Sequence, residues 1–148
     1  MLRGKHHDLL HLLTLLESLE KILAFSREAD DAESFYRLND QMNFNAVLNL
    51  LAHVGETSDK LSEDFLQAIS TTDWKKIKGL RNRIVHDYLG LDTLKVFRIV
   101  HDEVPVLLNE LYVNTQTRLA NGILDRGELQ AAMESDYYGK VQFPRLVG

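Results

Sequence analysis

The feature that most restricts the fold is a leucine-rich run near the start of the chain. Between Lys5 and Ala29, nine large aliphatic residues recur at helical spacing: Leu9, Leu10, Leu12, Leu13, Leu15, Leu16, Leu19, Ile22 and Leu23. Spacings of three and four place such side chains on one side of an α-helix. The run therefore predicts a long helix whose apolar face is broad enough to contact two or more neighbours.

A second apolar segment follows a polar break that runs from Glu28 to Ser34. It extends from Phe35 to Phe65 or Leu66 and again has helical spacing. Gly55 interrupts it at a cost of about 1 kcal/mol relative to alanine, which predicts either a kink or the close packing of a neighbour. This segment is expected to form a second long helix.

Two more helices are predicted from their boundaries. A polar loop ending in a helix cap precedes Trp74, where a third helix is expected to begin, and Gly90 is its expected end. Asp92 or Thr93 can cap a fourth helix, which Pro105 is expected to kink or restart. Four helices with short connections favour an all-α, antiparallel four-helix bundle.

The bundle is expected to occupy residues 1–112, and residues 113–148 are expected to form a C-terminal extension. Asn121-Gly122 and Arg126-Gly127 predict turns, and the segment from Glu128 to Met133 predicts a short helix. The extension also contains apolar side chains that a disordered tail would lack: Tyr137, Tyr138, Val141 and Phe143. It is therefore expected to be partly ordered and to pack on the bundle or on a partner.

Composition restricts the compartment and the chemistry. The chain has 148 residues and no cysteine, which excludes disulfides and thiol chemistry. No run approaches the roughly 18 apolar residues of a membrane span, and the N-terminal segment lacks a signal-peptide pattern. A cytoplasmic protein that needs no cofactor is expected.

The densest group of reactive side chains lies between Trp74 and Tyr88. Five cations occur there against one acid: Lys75, Lys76, Lys78, Arg81 and Arg83 against Asp87. The whole chain has a net charge of −5, so this segment is a basic island in an acidic protein. Such an island suits a phosphate-containing substrate such as RNA, and Lys75, Lys76, Lys78 and Arg83 are expected to contact its phosphates.

Helical geometry arranges the side chains of this segment. An apolar stripe is expected to face the core and consists of Ile77, Leu80, Ile84 and Val85. At about 100° per residue, Asn82 and His86 share a face, Arg81 and Tyr88 nearly superpose, and Arg81 and His86 are about 140° apart. Because the Arg and the His converge more easily across a two-fold axis than within one helix, the geometry favours a homodimer.

These residue types suit RNA cleavage without a metal ion. The 2′-hydroxyl of RNA can attack the adjacent phosphorus if the protein supplies a proton carrier and a cation for the developing charge. His86, expected in the last turn of its helix, is the candidate proton carrier, because histidine titrates near neutral pH. Arg81 is the candidate cation.

The motif resembles that of the HepT-like toxin branch of the HEPN superfamily. The family pattern is an arginine, four residues, a histidine, one residue and a tyrosine, which Arg81, His86 and Tyr88 match. Asn82 directly after the arginine and the flanking Trp74 and Gly90 strengthen the match. The resemblance extends from about Leu9 to Leu111 and leaves the last part of the chain outside it.

The resemblance implies a more specific function than the residues alone. HEPN toxins are all-α homodimers and metal-independent ribonucleases, and the Arg and His pairs of two protomers line one cleft. HepT-like members are paired with a minimal nucleotidyltransferase that acts as the antitoxin. That partner attaches AMP to the motif tyrosine, here Tyr88, and so silences the nuclease. Arg81 and His86 are then catalytic, and Asn82 supports them.

Other interpretations remain open for these residues. The chain could be a non-catalytic HEPN module that binds nucleotide or docks a nucleotidyltransferase, or a plain dimeric interaction protein. Histidines His6, His7 and His11 and the cluster His101-Asp102-Glu103 could suggest a metal site. A solvated helix surface is the favoured interpretation of both groups.

Overall fold

The chain is all-α, as the sequence predicted. The computed structural model describes residues 2–69 and 72–147, with side chains from residue 8 onward, and no strand occurs in these ranges. The α-helices are α1 (Leu2–Ser26), α2 (Ala32–Arg37), α3 (Met42–Ser58), α4 (Glu63–Ala68), α5 (Trp74–His86), α6 (Thr93–Arg98), α7 (Val104–Ala120), α8 (Arg126–Met133) and α9 (Pro144–Val147). A π-helical turn spans Ile99–Glu103, and 3₁₀ turns span Tyr88–Gly90 and Asp136–Tyr138. The helices form a bundle of the type seen in HEPN proteins.

Helix α1 is long and packs on more than one neighbour, as its leucine pattern predicted. It packs mainly on α3 and α7, and seven of its aliphatic side chains are at most 1% exposed: Leu9, Leu12, Leu13, Leu15, Leu16, Leu19 and Ile22. Burial of each such side chain stabilises the fold by roughly 1.5–3 kcal/mol. The broad apolar face therefore accounts for much of the core.

The prediction of one long second helix is wrong, because the segment is divided into α2, α3 and α4. Asn39, Asp40 and Gln41 have φ values of 50°, 55° and 70°, so their backbone adopts the left-handed conformation and the helix is interrupted between α2 and α3. Asparagine and aspartate tolerate this conformation better than most residues. The second break is fixed by Ser62, whose backbone N–H and hydroxyl both donate to the buried Asp8 carboxylate, at 3.0 and 2.6 Å.

The predicted fourth helix restarts before Pro105, as expected. The Asp92 side chain caps α6 by accepting from the backbone N–H groups of Leu94 and Lys95. Proline lacks an N–H and its ring crowds the carbonyl four residues earlier, here that of His101. The wider π-helical turn Ile99–Glu103 accommodates this restriction, and α7 continues from Val104.

The C-terminal extension packs on the bundle. Helix α7 runs without a break across the expected boundary at residue 112 and ends before the predicted turn at Asn121-Gly122. The prediction of a turn at Arg126-Gly127 is wrong, because these residues begin α8, which Asp125 caps. Beyond α8, the backbone N–H groups of Lys140 and Val141 donate to the buried carboxylate of Glu17, at 2.6 and 3.1 Å.

Tyr112 also binds the segment that follows α8, and its burial makes the stability of the fold sensitive to alkaline pH. Its side chain is 1% exposed, and its hydroxyl donates to Glu20 at 2.7 Å and accepts from the Gln142 backbone N–H at 2.8 Å. Burial, the largest cause, raises the pKa of Tyr112 well above its ordinary value, and Glu20 raises it further. The folded state therefore favours the neutral phenol.

We expect this stabilisation to be complete below about pH 10, the ordinary tyrosine pKa, and to be lost as the pH rises toward the raised value. The urea midpoint of the parent protein should therefore fall as the pH is raised above about 10. In Tyr112→Phe the fall should be smaller, although the starting midpoint is lower. Tyr137→Phe, at an exposed position, is the control. An equal fall in Tyr112→Phe and the parent would contradict this account.

Candidate active site

The motif helix α5 begins at Trp74, where the sequence predicted, but it ends at His86, before the predicted end at Gly90. The Asp73 side chain caps it by accepting from the Lys76 backbone N–H at 3.1 Å, and His86 is its last residue. The Asp87 backbone N–H closes the final turn by donating to the Arg83 carbonyl at 2.7 Å. His86 therefore occupies the last turn, as expected.

Tyr88 lies outside the helix, which corrects the prediction that it superposes on Arg81. The backbone enters a 3₁₀ turn at Tyr88–Gly90. The turn redirects the tyrosine away from the helical register.

The apolar stripe of α5 contains three of the four predicted residues. Ile84 is buried, and Ile77 and Leu80 pack against the core, but Val85 is 49% exposed. Val85 lies about 100° around the helix from Ile84, which takes it off the packed side. The outer side of α5 is therefore solvent-facing and includes an apolar side chain.

Arg81 is fixed against α3 by two neighbours. Its Nη2 and Nε donate to Glu56 Oε1 at 3.1 and 3.4 Å, and its Nη1 donates to Asn82 Oδ1 at 3.1 Å. Gly55 permits this approach, because a Cβ there would lie 2.6 Å from the Arg81 Cβ. The close-packing alternative predicted for Gly55 is thus confirmed, and Asn82 orients the guanidinium.

His86 and Arg81 do not contact each other within one chain. The guanidinium is drawn toward Glu56 on α3, whereas His86 is exposed on the outer side of α5. No hydrogen bond or ion pair of His86 occurs in residues 2–69 and 72–147. A single protomer therefore presents the two candidate groups separately.

Tyr88 has a partner that the sequence did not indicate. Its hydroxyl donates to Asn45 Oδ1 on α3, and the side chain is 43% exposed. Desolvation raises the pKa of Tyr88 above its ordinary value, and Tyr36 nearby raises it further. The phenol is therefore neutral near pH 7, with its oxygen held in place at the protein surface.

The cations of the basic island are mostly paired. Four of the five lie near carboxylates: Lys76 near Glu103 at 3.0 Å, Lys78 near Asp59 at 2.6 Å, Arg81 near Glu56 at 3.1 Å, and Arg83 near Asp87 at 3.9 Å. Lys75 is exposed and has no ion pair in the described part of the chain. Exposed pairs of this kind contribute only about 0–1 kcal/mol each, so phosphate oxygens can displace the carboxylates.

The histidine-containing clusters do not form a metal site in the part of the chain that the structure describes. No group of three metal-binding side chains is present there. The side chains of His6 and His7 lie outside the described residues. His101 is exposed, stacks on Phe97 and contacts Asp102 at 2.8 Å.

None of the helices in the described ranges combines the length and the apolar character that crossing a membrane requires.

Comparisons with known proteins agree with the motif. The family model described as "Ribonuclease HepT-like" matches residues 15–113. A candidate RNase of Methanocaldococcus jannaschii is 31% identical over 102 residues, covering 69% of this chain and 91% of its own. A candidate ribonuclease HepT of Thermococcus cleftensis is 28% identical over 106 residues. The match covers 72% of this chain and 92% of the relative. No solved structure gives a significant match.

The matched region contains α5 with Arg81, Asn82, His86 and Tyr88, together with their partners on α3. The expectation drawn from the motif is confirmed at the level of the family. The chain is a member of the HepT-like ribonuclease family.

Proposed function

We propose that this protein is a metal-independent endoribonuclease and the toxin of a two-component toxin–antitoxin system. The observation that supports this most directly is the placement of Arg81 and His86. Arg81 is oriented by Glu56 and Asn82, and His86 is exposed on the last turn of the same helix. Both lie within the part of the chain that matches a ribonuclease family.

The proposed reaction uses the RNA's own 2′-hydroxyl. That oxygen attacks the adjacent phosphorus, the bond to the 5′-oxygen breaks, and the products are a cyclic phosphate and a free 5′-hydroxyl. His86 takes or delivers a proton at these oxygens, and Arg81 stabilises the charge on the phosphorane oxygens. Lys75, Lys76, Lys78 and Arg83 contact flanking phosphates by exchanging their carboxylate partners.

A purified protein with no bound nucleotide should cleave total cellular RNA in excess EDTA. Cleavage there supports the metal-independent mechanism. If an unmodified protein of this kind failed to cleave, the alternative of a nucleotidyltransferase-docking module would be favoured. The pairing of four basic side chains with carboxylates already agrees with that alternative.

The active site is proposed to form between two copies of α5. Three apolar side chains are exposed at the end of this helix: Val85 at 49%, Tyr88 at 43% and Leu89 at 98%. A group of exposed apolar side chains that includes a fully exposed leucine is typical of a surface that a partner protein covers. Pairing about a two-fold axis covers this patch and brings the Arg of one copy toward the His of the other.

The double variant Val85→Glu/Leu89→Glu should be monomeric in sedimentation velocity, because it places carboxylates in the apolar contact. Val113→Glu is the matched control, since Val113 is 53% exposed on α7, and this variant should remain dimeric. A dimeric double variant with unaltered helicity would exclude this interface.

Regulation by a minimal nucleotidyltransferase antitoxin is proposed to act on Tyr88. The Tyr88 hydroxyl is at the surface, and Asn45 fixes its position. Because the phenol is protonated at neutral pH, transfer of AMP requires the partner to remove this proton. An AMP at this position adds negative charge beside the proposed RNA site and so opposes RNA binding.

Incubation with the nucleotidyltransferase and ATP should add the mass of AMP to the parent protein and not to Tyr88→Phe. Tyr137→Phe, at a 53% exposed tyrosine, should be modified like the parent. Loss of modification in Tyr137→Phe, or AMP on Tyr88→Phe, would show that another residue is the acceptor.

Residues 1–112 are proposed to form the ribonuclease bundle and residues 113–148 an extension that braces it. We also propose a cytoplasmic location, where cellular RNA and ATP are both present.

A further inference from the structure

A cavity lies on the core-facing side of α5. It encloses about 200 Å³ between α1, α3, α5 and the start of α7. Its walls are mainly aliphatic and include Leu51, Val54, Ile77, Leu80 and Leu107. In another protein, an engineered apolar cavity of about 150 Å³ stays free of water and binds benzene. This cavity is therefore large enough for one six-membered ring.

The rim of the cavity is anionic. Asp73, Asp102 and Glu103 line it together with a single cation, Lys76. Lys76 is paired with Glu103 at 3.0 Å. The Asp102 side chain is 66% exposed, and its polar partner among the described residues is the neighbouring His101 ring. A positively charged group emerging from the cavity would thus meet excess carboxylate.

The π-helical turn Ile99–Glu103 builds both parts of this site. Ile99 contributes to the apolar wall, and Asp102 and Glu103 contribute to the rim. π-Helical turns occur frequently at functional sites, because the wider turn redirects side chains. The same turn that Pro105 imposes on the chain therefore places carboxylates next to an apolar cavity.

We propose that this cavity binds a small amphiphilic amine: one aromatic or alicyclic ring joined by a short chain to a protonated amino group. The ring occupies the space between Val54, Leu80 and Leu107, and the ammonium lies beside Asp102. The cavity is not lined by the proposed catalytic residues Arg81 and His86 or by Tyr88, and it shares only Lys76 with the proposed phosphate contacts. The proposal does not depend on RNA cleavage.

The probe is 2-phenylethylammonium, titrated into the full-length protein and followed by calorimetry and by the chemical shifts of core methyl groups. Saturable binding is expected. Neutral 2-phenylethanol should bind about two- to fivefold more weakly and anionic 3-phenylpropionate more weakly still, because the rim carboxylates are partly exposed. Absence of saturable binding, or equal affinity for the three compounds, would overturn the proposal.

Two tryptophan variants locate the binding site. Val106 lines the cavity and is 54% exposed, so Val106→Trp covers the entrance without disturbing the core. Val113→Trp is the matched control on α7, where the valine is 53% exposed and outside the lining. Val106→Trp should weaken binding of the amine about tenfold, because the indole closes the entrance to the apolar site. Equal binding by the two variants would place the amine elsewhere.

A third variant tests the role of the rim. Asp102→Asn keeps the size of the exposed side chain and removes its charge, so the preference for the amine over the alcohol should decrease by about two- to fivefold. Binding of the alcohol should be unaltered. An unaltered preference would show that Asp102 does not face the bound ammonium and would refute that part of the site.

Discussion

Replacing His86 with alanine should reduce metal-free RNA cleavage by about 10²–10⁴-fold, the usual contribution of a positioned general acid or base. His86 is exposed at the end of α5, so its loss leaves the core intact. The assay compares initial rates of cleavage of a defined RNA in excess EDTA. The intact mass of each protein is measured first, so that a protein already modified with AMP is not mistaken for an inactive one.

His101→Ala is the control for this experiment. His101 is also an exposed histidine, with a 68% exposed side chain, but it lies in the π-helical turn. This variant should cleave RNA at the rate of the parent protein. If His86→Ala retained full activity, or if both variants lost activity equally, His86 would not be the proton carrier.

Replacing Arg81 with alanine should reduce cleavage by about 10²–10³-fold, which is typical for loss of one group that stabilises transition-state charge. Arg81→Lys should also be strongly impaired. Lysine keeps the positive charge but cannot donate in the same plane to Glu56 and Asn82, as Arg81 does. The rate constant for cleavage at saturating RNA is the quantity to compare.

Arg37→Ala is a suitable control, because it also removes an arginine paired with one glutamate. Arg37 contacts Glu33 at 3.2 Å on α2, compared with 3.1 Å for Arg81 and Glu56. It should leave cleavage unaltered. An Arg81→Ala protein that loses affinity for RNA but keeps the parent rate at saturation would make Arg81 a phosphate contact and not a catalytic group.

Local sequence signals predicted the helices that depend on local interactions. The leucines of α1 and the cap formed by Asp73 act within one or two turns, and both features occur where they were expected. The break at Asn39, Asp40 and Gln41 was missed, because apolar residues of helical spacing flank it on both sides. The Ser62–Asp8 contact that divides α3 from α4 joins distant segments and has no local signal.

In the candidate site too, local features were predictable from the sequence and contacts between distant segments were not. Arg81, Asn82, His86 and Tyr88 were identifiable because their spacing in the sequence is itself the motif. Their partners were not, because Glu56 and Asn45 reach the motif from α3 only after the chain has folded.

The charge of the basic island could not be predicted from the sequence alone. Counting charges along the sequence gave a strongly positive segment, but Asp59 and Glu103 approach its lysines from other elements. The folded surface is consequently far less positive than the sequence suggested. In the proposed function, RNA phosphates replace these carboxylates. Because phosphate contacts by lysine and arginine release counterions, we expect RNA binding to weaken as the salt concentration rises.

The most direct test of the composite site is complementation between two inactive proteins. Arg81→Ala and His86→Ala are coexpressed with different tags, the heterodimer is isolated, and its cleavage of RNA is measured in EDTA. If the Arg of one protomer acts with the His of the other, the heterodimer contains one complete pair and should regain a substantial part of the parent activity. A stable heterodimer as inactive as each variant alone would contradict a site shared between protomers.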